Sequence, residues 1–174
     1  MMSVCAGWRW EECGSDIALS GEGLVATMSS DDGAYQLATG GEPMTEGRHY
    51  WEVELTKGDE YGSCNFCVGA ARPGLDHDKG EHDETNGAYY IYTGEGSLFG
   101  HGKHYADPQG EFKEGDRVGV LLDLDAGWLR FYRNGKRCGP GFTEGVTGPQ
   151  VRAAEVYYKG SVLTALPGAA APAD

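Results

Sequence analysis

The sequence predicts an all-β fold, an antiparallel β-sandwich of two layered sheets. Apolar and polar residues alternate with a period of two in many short stretches, as in strands that bury one face. Apolar residues at a helical spacing are not sustained over three turns anywhere in the chain. Glycine accounts for 29 of the 174 residues, and without a collagen repeat this composition indicates many tight turns between short strands.

Six stretches of the sequence have the length and alternation of strands. In chain order they are residues 50–55, 88–92, 117–125, 128–133, 151–158 and 161–166. In the first stretch, Trp51 shares a face with Val53 and Leu55, so we expect its indole ring to close the core. The stretch 118–124 is expected to be a central strand, with Gly119 on the face opposite Val118, Val120 and Leu122, where a neighbouring group can approach closely.

Turn residues separate these strands. Asn134-Gly135 is a two-residue hairpin signal, because both central residues of that turn need a positive φ. Asp125-Ala126-Gly127 supplies a second tight reversal, so the strands on either side of it are expected to be antiparallel. No internal repeat and no domain boundary interrupts the pattern, and the length fits one domain with a single core.

Charge and cysteine content narrow the classes of partner and the compartment. Acidic residues outnumber basic ones 27 to 14, giving a formal net charge of −13. Nucleic acids and anionic membranes require a basic face, so neither is expected as a partner. The sequence has no signal-peptide core, no apolar run of the roughly 20 residues that span a membrane, and five cysteines, an odd number. These features predict a cytoplasmic protein with reduced thiols.

Five blocks of sequence follow one another in a distinctive order and spacing. They are GRHYWEVEL (47–55), NFCVGAARPG (65–74), NGAYYIYTGEG (86–96), FKEGDRVGVLLDLDAGWLRFYRNGKRCGPGF (112–142) and VRAAEVYYKGSVLTAL (151–166). Together they resemble the SPRY domain family. The resemblance implies a concanavalin A-like jelly roll, and the strand-like stretch from Trp8 is expected to complete it. We therefore predict a SPRY domain over residues 1–166 and a flexible tail over 167–174.

The resemblance also implies a function, that of a non-catalytic module binding a peptide segment or surface of another protein through its loops. In this family, ligands dock on a shallow surface at one edge of the sandwich, made in part by the segment after the V-G-x-A strand and by the penultimate strand. By that resemblance the contact candidates are Arg72, Tyr157 and Tyr158, with Tyr35 and Tyr61 as additions. The alternative, that these tyrosines only cover the sandwich, stays open.

Two pairs of adjacent tyrosines bear on this surface. If residues 151–158 form a strand, either Tyr157 or Tyr158 must face away from the core. Tyr89 and Tyr90 present the same choice in the stretch 88–92. A tyrosine at a surface offers a rigid amphipathic contact with a hydroxyl group, a property that is enriched at binding hot spots.

The expected partner is a protein or peptide of basic character, since complementary charge steers encounter with an acidic chain. A monomer is expected, with no cofactor. Two other functions are compatible with the fold. One is a carbohydrate-binding, lectin-like sandwich, which would need calcium or a carboxylate pair beside an aromatic groove. The other is a structural subunit of a larger assembly.

Three further groups contain residue types found in chemical sites, but none predicts catalysis or metal binding. Cys64 and Cys67 form a CxxC, but a spacing of three on a strand places the two thiols on opposite faces. The acidic, histidine-bearing run 76–84 does not have the order of an EF-hand loop and is interpreted as a solvated loop. Asp123 and Asp125 could pair as carboxylates, but they fall at the junction of a strand and a turn.

Overall fold

The computed structural model describes residues 2–4, 7–30, 34–80 and 87–173, and within these ranges the chain forms β-strands and turns with no helix. The strands in chain order are β1 (Met2–Val4), β2 (Trp10–Cys13), β3 (Ile17–Ser20), β4 (Val25–Met28), β5 (Gln36–Met44), β6 (Arg48–Lys57), β7 (Phe66–Ala71), β8 (Tyr89–Tyr92), β9 (Ser97–Gly100), β10 (Lys103–Ala106), β11 (Arg117–Asp123), β12 (Trp128–Arg133), β13 (Lys136–Arg137), β14 (Gln150–Val156) and β15 (Val162–Leu166).

The strands form two sheets, and the predicted all-β sandwich is confirmed. Sheet A has the order β13-β12-β11-β6-β15-β4-β3, and sheet B has the order β10-β9-β8-β7-β14-β5-β2. Strand β1 adds to sheet A by pairing parallel to β6, next to the stretch of β6 that β15 covers. The other ladders among the described strands are antiparallel.

The core lies between the inner faces of the two sheets. Trp51 is 1% exposed, and Val53 and Leu55 on the same face of β6 are fully buried, as the alternation predicted. Val120 of β11 lies beside Trp51 in the register of sheet A. From sheet B, the buried Arg152 places its guanidinium 5.4 Å from the centre of the Trp51 ring, a cation–π contact inside the sandwich.

The predicted turns are also present. Asn134 and Gly135 have φ values of 50° and 80°, and they join β12 to the short edge strand β13. The reversal at residues 125–127 joins β11 to β12, which pair in antiparallel register with Asp123 opposite Trp128. Both predictions succeeded because the turn residues carry their backbone preference locally.

A second apolar cluster covers the outer face of sheet B. It is made by Leu37, Cys67, Ala71, Leu75, Ala88, Tyr90, Phe99 and Ala153. Leu75 comes from the segment after β7, which is held to β5 by the hydrogen bond from Leu37 N to His77 O, 2.9 Å long. As the alternation predicts, one member of the Tyr89–Tyr90 pair faces away from the core: Tyr89 points into the core and Tyr90 lies on the outer face. Tyr90 is nevertheless buried, because this cluster covers it.

Strand β14 ends two residues before the end of the predicted stretch 151–158. It ends at Val156, and Tyr157 and Tyr158 belong to the following turn. The turn is closed by the hydrogen bond from Ser161 N to Tyr158 O, 3.1 Å long, and Gly160 has a φ of 83°. The two tyrosines therefore leave the ladder at one end of the sandwich, where strand alternation no longer decides which way each ring points.

The C-terminal segment contacts the outer face of sheet A. Ala169 and Ala171 pack against a small cluster formed by Tyr50, Leu121 and Tyr132. The prediction that residues 167–174 are flexible stays a prediction, and Asp174 lies outside the described residues.

Two aspartates tie the loops of sheet A together. Burial alone would raise the pKa of Asp123, but hydrogen bonds from Ala126 N, 2.8 Å away, and from the Arg48 guanidinium outweigh it and lower the pKa. Burial is likewise outweighed at Asp116, whose pKa is lowered by three donors, the backbone N–H of Lys113 and the side chains of Asn134 and Arg133.

These lowered pKa values predict an acid-sensitive component of stability. A carboxylate whose folded pKa lies below its unfolded value of about 4 stabilises the fold above that pH, and the contribution is lost as the pH falls through the folded pKa. We expect the urea midpoint of the native chain to fall more steeply between about pH 5 and pH 3 than that of the Asp116→Asn/Asp123→Asn double variant. Parallel curves over this range would contradict the assignment.

Candidate functional site

Three of the five predicted contact residues form one aromatic cluster. Tyr157 packs on Tyr35, with ring centroids 4.5 Å apart, and on Tyr158, with centroids 4.7 Å apart. The Tyr157 and Tyr158 rings are nearly perpendicular, at 79°. Tyr35 and Tyr157 are half-buried, whereas Tyr158 is 41% exposed. The turn after β14 and the residue before β5 therefore present their tyrosines together.

Two tyrosines that were not predicted as contacts, Tyr92 and Tyr105, lie near this cluster. Burial raises the pKa of Tyr35, and the nearby Cys67, Tyr92, Tyr105 and Tyr158 raise it further. Tyr92 and Tyr105 contact one another with ring centroids 5.6 Å apart. Burial, followed by the neighbouring Tyr105, also raises the pKa of Tyr92 to about 12, so both phenols stay neutral at physiological pH.

A cleft of about 540 Å³ adjoins Tyr158 and is lined by Asp59, Glu60, Tyr61, Tyr158 and Lys159. Tyr61 stands at the tip of the loop between β6 and β7 and is 85% exposed. We call the six tyrosines of this region, Tyr35, Tyr61, Tyr92, Tyr105, Tyr157 and Tyr158, the tyrosine face. Two carboxylates and one ammonium line its cleft, which is consistent with the acidic balance of the whole chain.

Arg72, the fifth candidate, lies elsewhere. It follows Ala71, which pairs with Val151 at the start of β14, whereas Tyr157 follows the opposite end of that strand. At about 3.4 Å per residue, this places Arg72 about 20 Å from Tyr157 along the strand direction. Arg72 instead borders a separate groove of about 330 Å³, with Glu11, Glu12, Thr39, Glu42, Pro43, Leu75 and His77 among its other lining residues.

The sequence carried only partial signals for this surface. Tyr92 shares the outward side of β8 with Tyr90 by alternation, so its position could have been found from the strand pattern. The position of Tyr105 could not have been found in this way. It lies in the short edge strand β10 with a φ of 49°, a conformation that no local sequence pattern predicts. Arg72 is a candidate because it follows the V-G-x-A motif of the family. That motif identifies strand β7, but it does not specify how far Arg72 lies from the end of β14 that precedes Tyr157.

The cysteine pair and the carboxylate pair have structural roles in the described ranges. Cys64 belongs to the inner core and Cys67 to the outer cluster, so the prediction that they lie on opposite sides of the sheet is confirmed. Burial raises the pKa of Cys64 to about 11 and that of Cys67 as well, which disfavours the reactive thiolate. Asp125 accepts a hydrogen bond from Gly47 N, 2.9 Å away, and so links the β11–β12 turn to the loop between β5 and β6.

No cluster of three or more potential metal ligands occurs in the part of the chain that the structure describes. The acidic run 76–84 is only partly covered, since residues 81–86 lie outside the described residues. In its described part, the Asp78 carboxylate accepts a hydrogen bond from Ser15 N at 2.7 Å and ties the segment to the loop after β2. Over the same described ranges, no helix has the length and apolar character needed to cross a bilayer.

Comparison with known proteins gives the relatives of the chain. The chain is 29% identical over 154 residues to SPRY domain-containing SOCS box protein 3 of Xenopus laevis, covering 79% of this chain and 39% of that protein. It is 35% identical over 94 residues to E3 ubiquitin-protein ligase TRIM11 of Bos taurus, covering 53% of this chain and 18% of that protein. The chain thus spans well under half the length of these curated relatives.

Solved structures share the fold. The SPRY domain of human HERC1 superposes with a TM-score of 0.71 at 21% identity, over 87% of this chain and 92% of that one. A human SPRY domain superposes with a TM-score of 0.72 at 16% identity, over 95% and 99% of the two chains. The sequence profile of the SPRY domain matches residues 48–168, which is more than half of the chain. The chain therefore belongs to the SPRY domain family.

Proposed function

We propose that this chain is a non-catalytic interaction module that binds a segment of another protein at the tyrosine face. Membership of the SPRY family supports a protein-binding role, and the relatives include a SPRY domain-containing SOCS box protein and an E3 ubiquitin-protein ligase. The observation that carries the proposal is the tyrosine face itself, on which Tyr61, Tyr105 and Tyr158 are exposed by 85%, 47% and 41%. These three are the exposed large hydrophobic residues among the described residues.

The tyrosine face has the physical properties of a binding surface. Tyr157 is held between Tyr35 and Tyr158, so little side-chain freedom remains to be lost when a partner binds. Each exposed ring offers apolar area together with a hydroxyl group that can donate or accept a hydrogen bond. Because Tyr35 directly precedes β5, Tyr92 ends β8 and Tyr157 directly follows β14, the paired strands of sheet B keep these three rings in place.

The charge around this face favours a partner segment that carries arginine or lysine. Asp59 and Glu60 line the cleft beside Tyr61 and Tyr158, and the chain as a whole has a net charge of −13. A cation from the partner would meet both carboxylates and tyrosine rings in this cleft, and both kinds of group attract positive charge.

The cysteines bear on the compartment in which the module works. The four described cysteines are free thiols, which fits a reducing compartment such as the cytoplasm.

Substitution at the centre of the face tests the proposal. A partner is captured from a cell lysate with the intact chain as bait, purified, and its affinity for the variants is measured by calorimetry. We expect Tyr158→Ala to weaken binding by roughly 30-fold, the loss typical of an aromatic hot spot of about 2 kcal/mol. Higher salt is expected to weaken the wild-type complex further.

The matched control is Trp128→Ala. Trp128 is a partly exposed aromatic residue on the outer face of sheet A, stacked by Arg130 with 4.1 Å between the guanidinium and the ring centre. We expect this variant to bind the partner as the wild type does. Arg72→Ala tests whether the distant groove contributes. An unchanged affinity of Tyr158→Ala together with a weakened Trp128→Ala or Arg72→Ala would place the site elsewhere.

A further inference from the structure

Tyr61 differs from the other nine tyrosines of the chain in its accessibility. Four tyrosines are buried, three are half-buried, and Tyr105 and Tyr158 are less than half exposed, whereas Tyr61 is 85% exposed. Tyr105 is also held by three ring contacts, to Tyr92, Phe99 and His104. The Tyr61 side chain thus extends from the surface far enough for its hydroxyl to enter the active-site cleft of another protein.

The loop that carries Tyr61 is small and locally stabilised. The Asp59 carboxylate accepts hydrogen bonds from Tyr61 N and Ser63 N, both 2.9 Å long, and Asp59 N donates to Ser63 O at 3.0 Å. Gly62 completes the turn with a φ of 82° and open space around its Cα. Gly62 N also donates to Asp59 O at 3.0 Å within the loop, and Gly58 N at its start donates to the Glu114 carboxylate at 2.9 Å. The ladders of β6 and β7 lie outside residues 59–63, so this turn can open without breaking them.

The residues before Tyr61 distinguish it chemically as well. Asp59 and Glu60 precede Tyr61 directly, whereas Lys103 and His104 precede Tyr105, and Lys159 follows Tyr158. Protein kinases choose among substrates partly by such charge patterns. An acidic flank before an exposed tyrosine complements a kinase whose substrate groove carries basic side chains.

We propose that Tyr61 is a modification site, the acceptor of a phosphoryl group from a protein-tyrosine kinase using ATP and Mg²⁺. The phenolic oxygen bonds to the γ-phosphorus while the bond from that phosphorus to the β,γ-bridging oxygen breaks. The phenolic proton passes to the kinase's catalytic base, and ADP leaves with the bridging oxygen. No redox step is involved.

The modification would act on the cleft beside the tyrosine face. A phosphate on Tyr61 adds about 1.5 to 2 negative charges at pH 7 to a cleft that Asp59 and Glu60 already line. If a basic partner segment binds there, as proposed above, phosphorylation strengthens its binding by charge-assisted hydrogen bonds from arginine or lysine. This second step rests on the proposed function, whereas acceptance of the phosphate does not.

The first experiment treats the full chain with a purified tyrosine kinase of acidic substrate preference, ATP and Mg²⁺, and locates phosphate by intact and peptide mass spectrometry. We expect one phosphate per chain, at Tyr61. The Tyr61→Phe variant should lose at least nine tenths of the incorporation, and Glu60→Gln should slow it several-fold. The matched control Trp128→Ala, which replaces a partly exposed aromatic residue outside the tyrosine face, should be phosphorylated as fast as the wild type.

Incorporation at Tyr105 or Tyr158 that survives Tyr61→Phe would overturn the proposal. So would a chain that takes up no phosphate while a control peptide is phosphorylated by the same kinase. Circular dichroism of each variant checks that the sandwich is folded, so that local unfolding of a damaged chain is not mistaken for accessibility.

A second experiment compares phosphorylated and unmodified chains for binding to an arginine-rich peptide and to a glutamate-rich peptide of equal length. Tighter binding of the arginine-rich peptide by the phosphorylated chain, lost at high salt, supports the regulatory step. Equal or weaker binding contradicts it. If Tyr61 accepts phosphate and neither form binds any protein segment, the proposed function fails while the modification site stands.

Discussion

Replacing Trp51 by alanine is expected to lower the free energy of unfolding by about 3–5 kcal/mol, the range for removing a large aromatic side chain from a core. Trp51 is 1% exposed, and its ring lies between the two sheets beneath the guanidinium of Arg152. The substitution would remove the apolar contacts of the indole. It would also remove the aromatic ring that contacts the buried guanidinium of Arg152. A loss of this size is a large fraction of the free energy of unfolding of a typical single domain.

Urea unfolding followed by far-ultraviolet circular dichroism measures the effect, with Trp128→Ala as the matched control. Trp128 lies in the same sheet as Trp51 but on its outer face, where it is partly exposed. We therefore expect Trp128→Ala to lower the free energy of unfolding by about 1 kcal/mol or less. Similar losses for the two variants would mean that Trp51 does not close the core.

The second large effect is expected from Gly69→Ala, at the centre of sheet B. Gly69 lies in β7 between Ala153 of β14 and Tyr90 of β8, and an added Cβ would overlap the carbonyl oxygen of Tyr89. That oxygen belongs to the backbone of a paired strand and cannot rotate away. We expect a loss of about 2–3 kcal/mol, at the upper part of the range for overpacking a core.

Gly119→Ala is the comparison for this prediction. Its added Cβ would meet the hydroxyl end of Tyr50, a side chain that can shift, so its loss should be smaller than that of Gly69→Ala. Thermal unfolding of both variants under one set of conditions decides between them. A Gly69→Ala variant as stable as the wild type would show that β7 and β8 can separate locally without cost.

Much of the sandwich could be predicted because its signals are local. The alternation around Trp51 and Val120 fixes which faces are buried, and Asn134-Gly135 fixes a hairpin through the φ preference of its own residues. Such signals need no knowledge of the other sheet. The close approach at Gly119 was predicted for the same reason, since a glycine on the outward side of a regular strand marks a missing side chain.

The outer cluster of sheet B could not be predicted in this way. Whether Tyr90 is exposed depends on the segment after β7, which returns over the sheet and places Leu75 in the same cluster. The alternation of β8 identifies the face on which Tyr90 lies, but it cannot tell whether a loop covers that face. The exposure of residues on an outward face is thus a tertiary property.

The tyrosine face was predicted in part for a similar reason. The family resemblance gave Tyr157 and Tyr158 their place after the penultimate strand, and the structure groups them with Tyr35. The resemblance did not indicate Tyr105, which belongs to the tyrosine face and lies in the edge strand β10. It also did not indicate that Arg72 lies far from the tyrosines. Distances between loops depend on strand register and length, which the motifs do not specify.

Hydrogen exchange of the chain, alone and bound to its captured partner, tests the location of the binding surface most directly. The account predicts slower amide exchange on binding in residues 58–63 and 157–161, the two turns that carry Tyr61 and Tyr158. Protection confined to the groove beside Arg72, or to β12 and β13 on the other sheet, would contradict it.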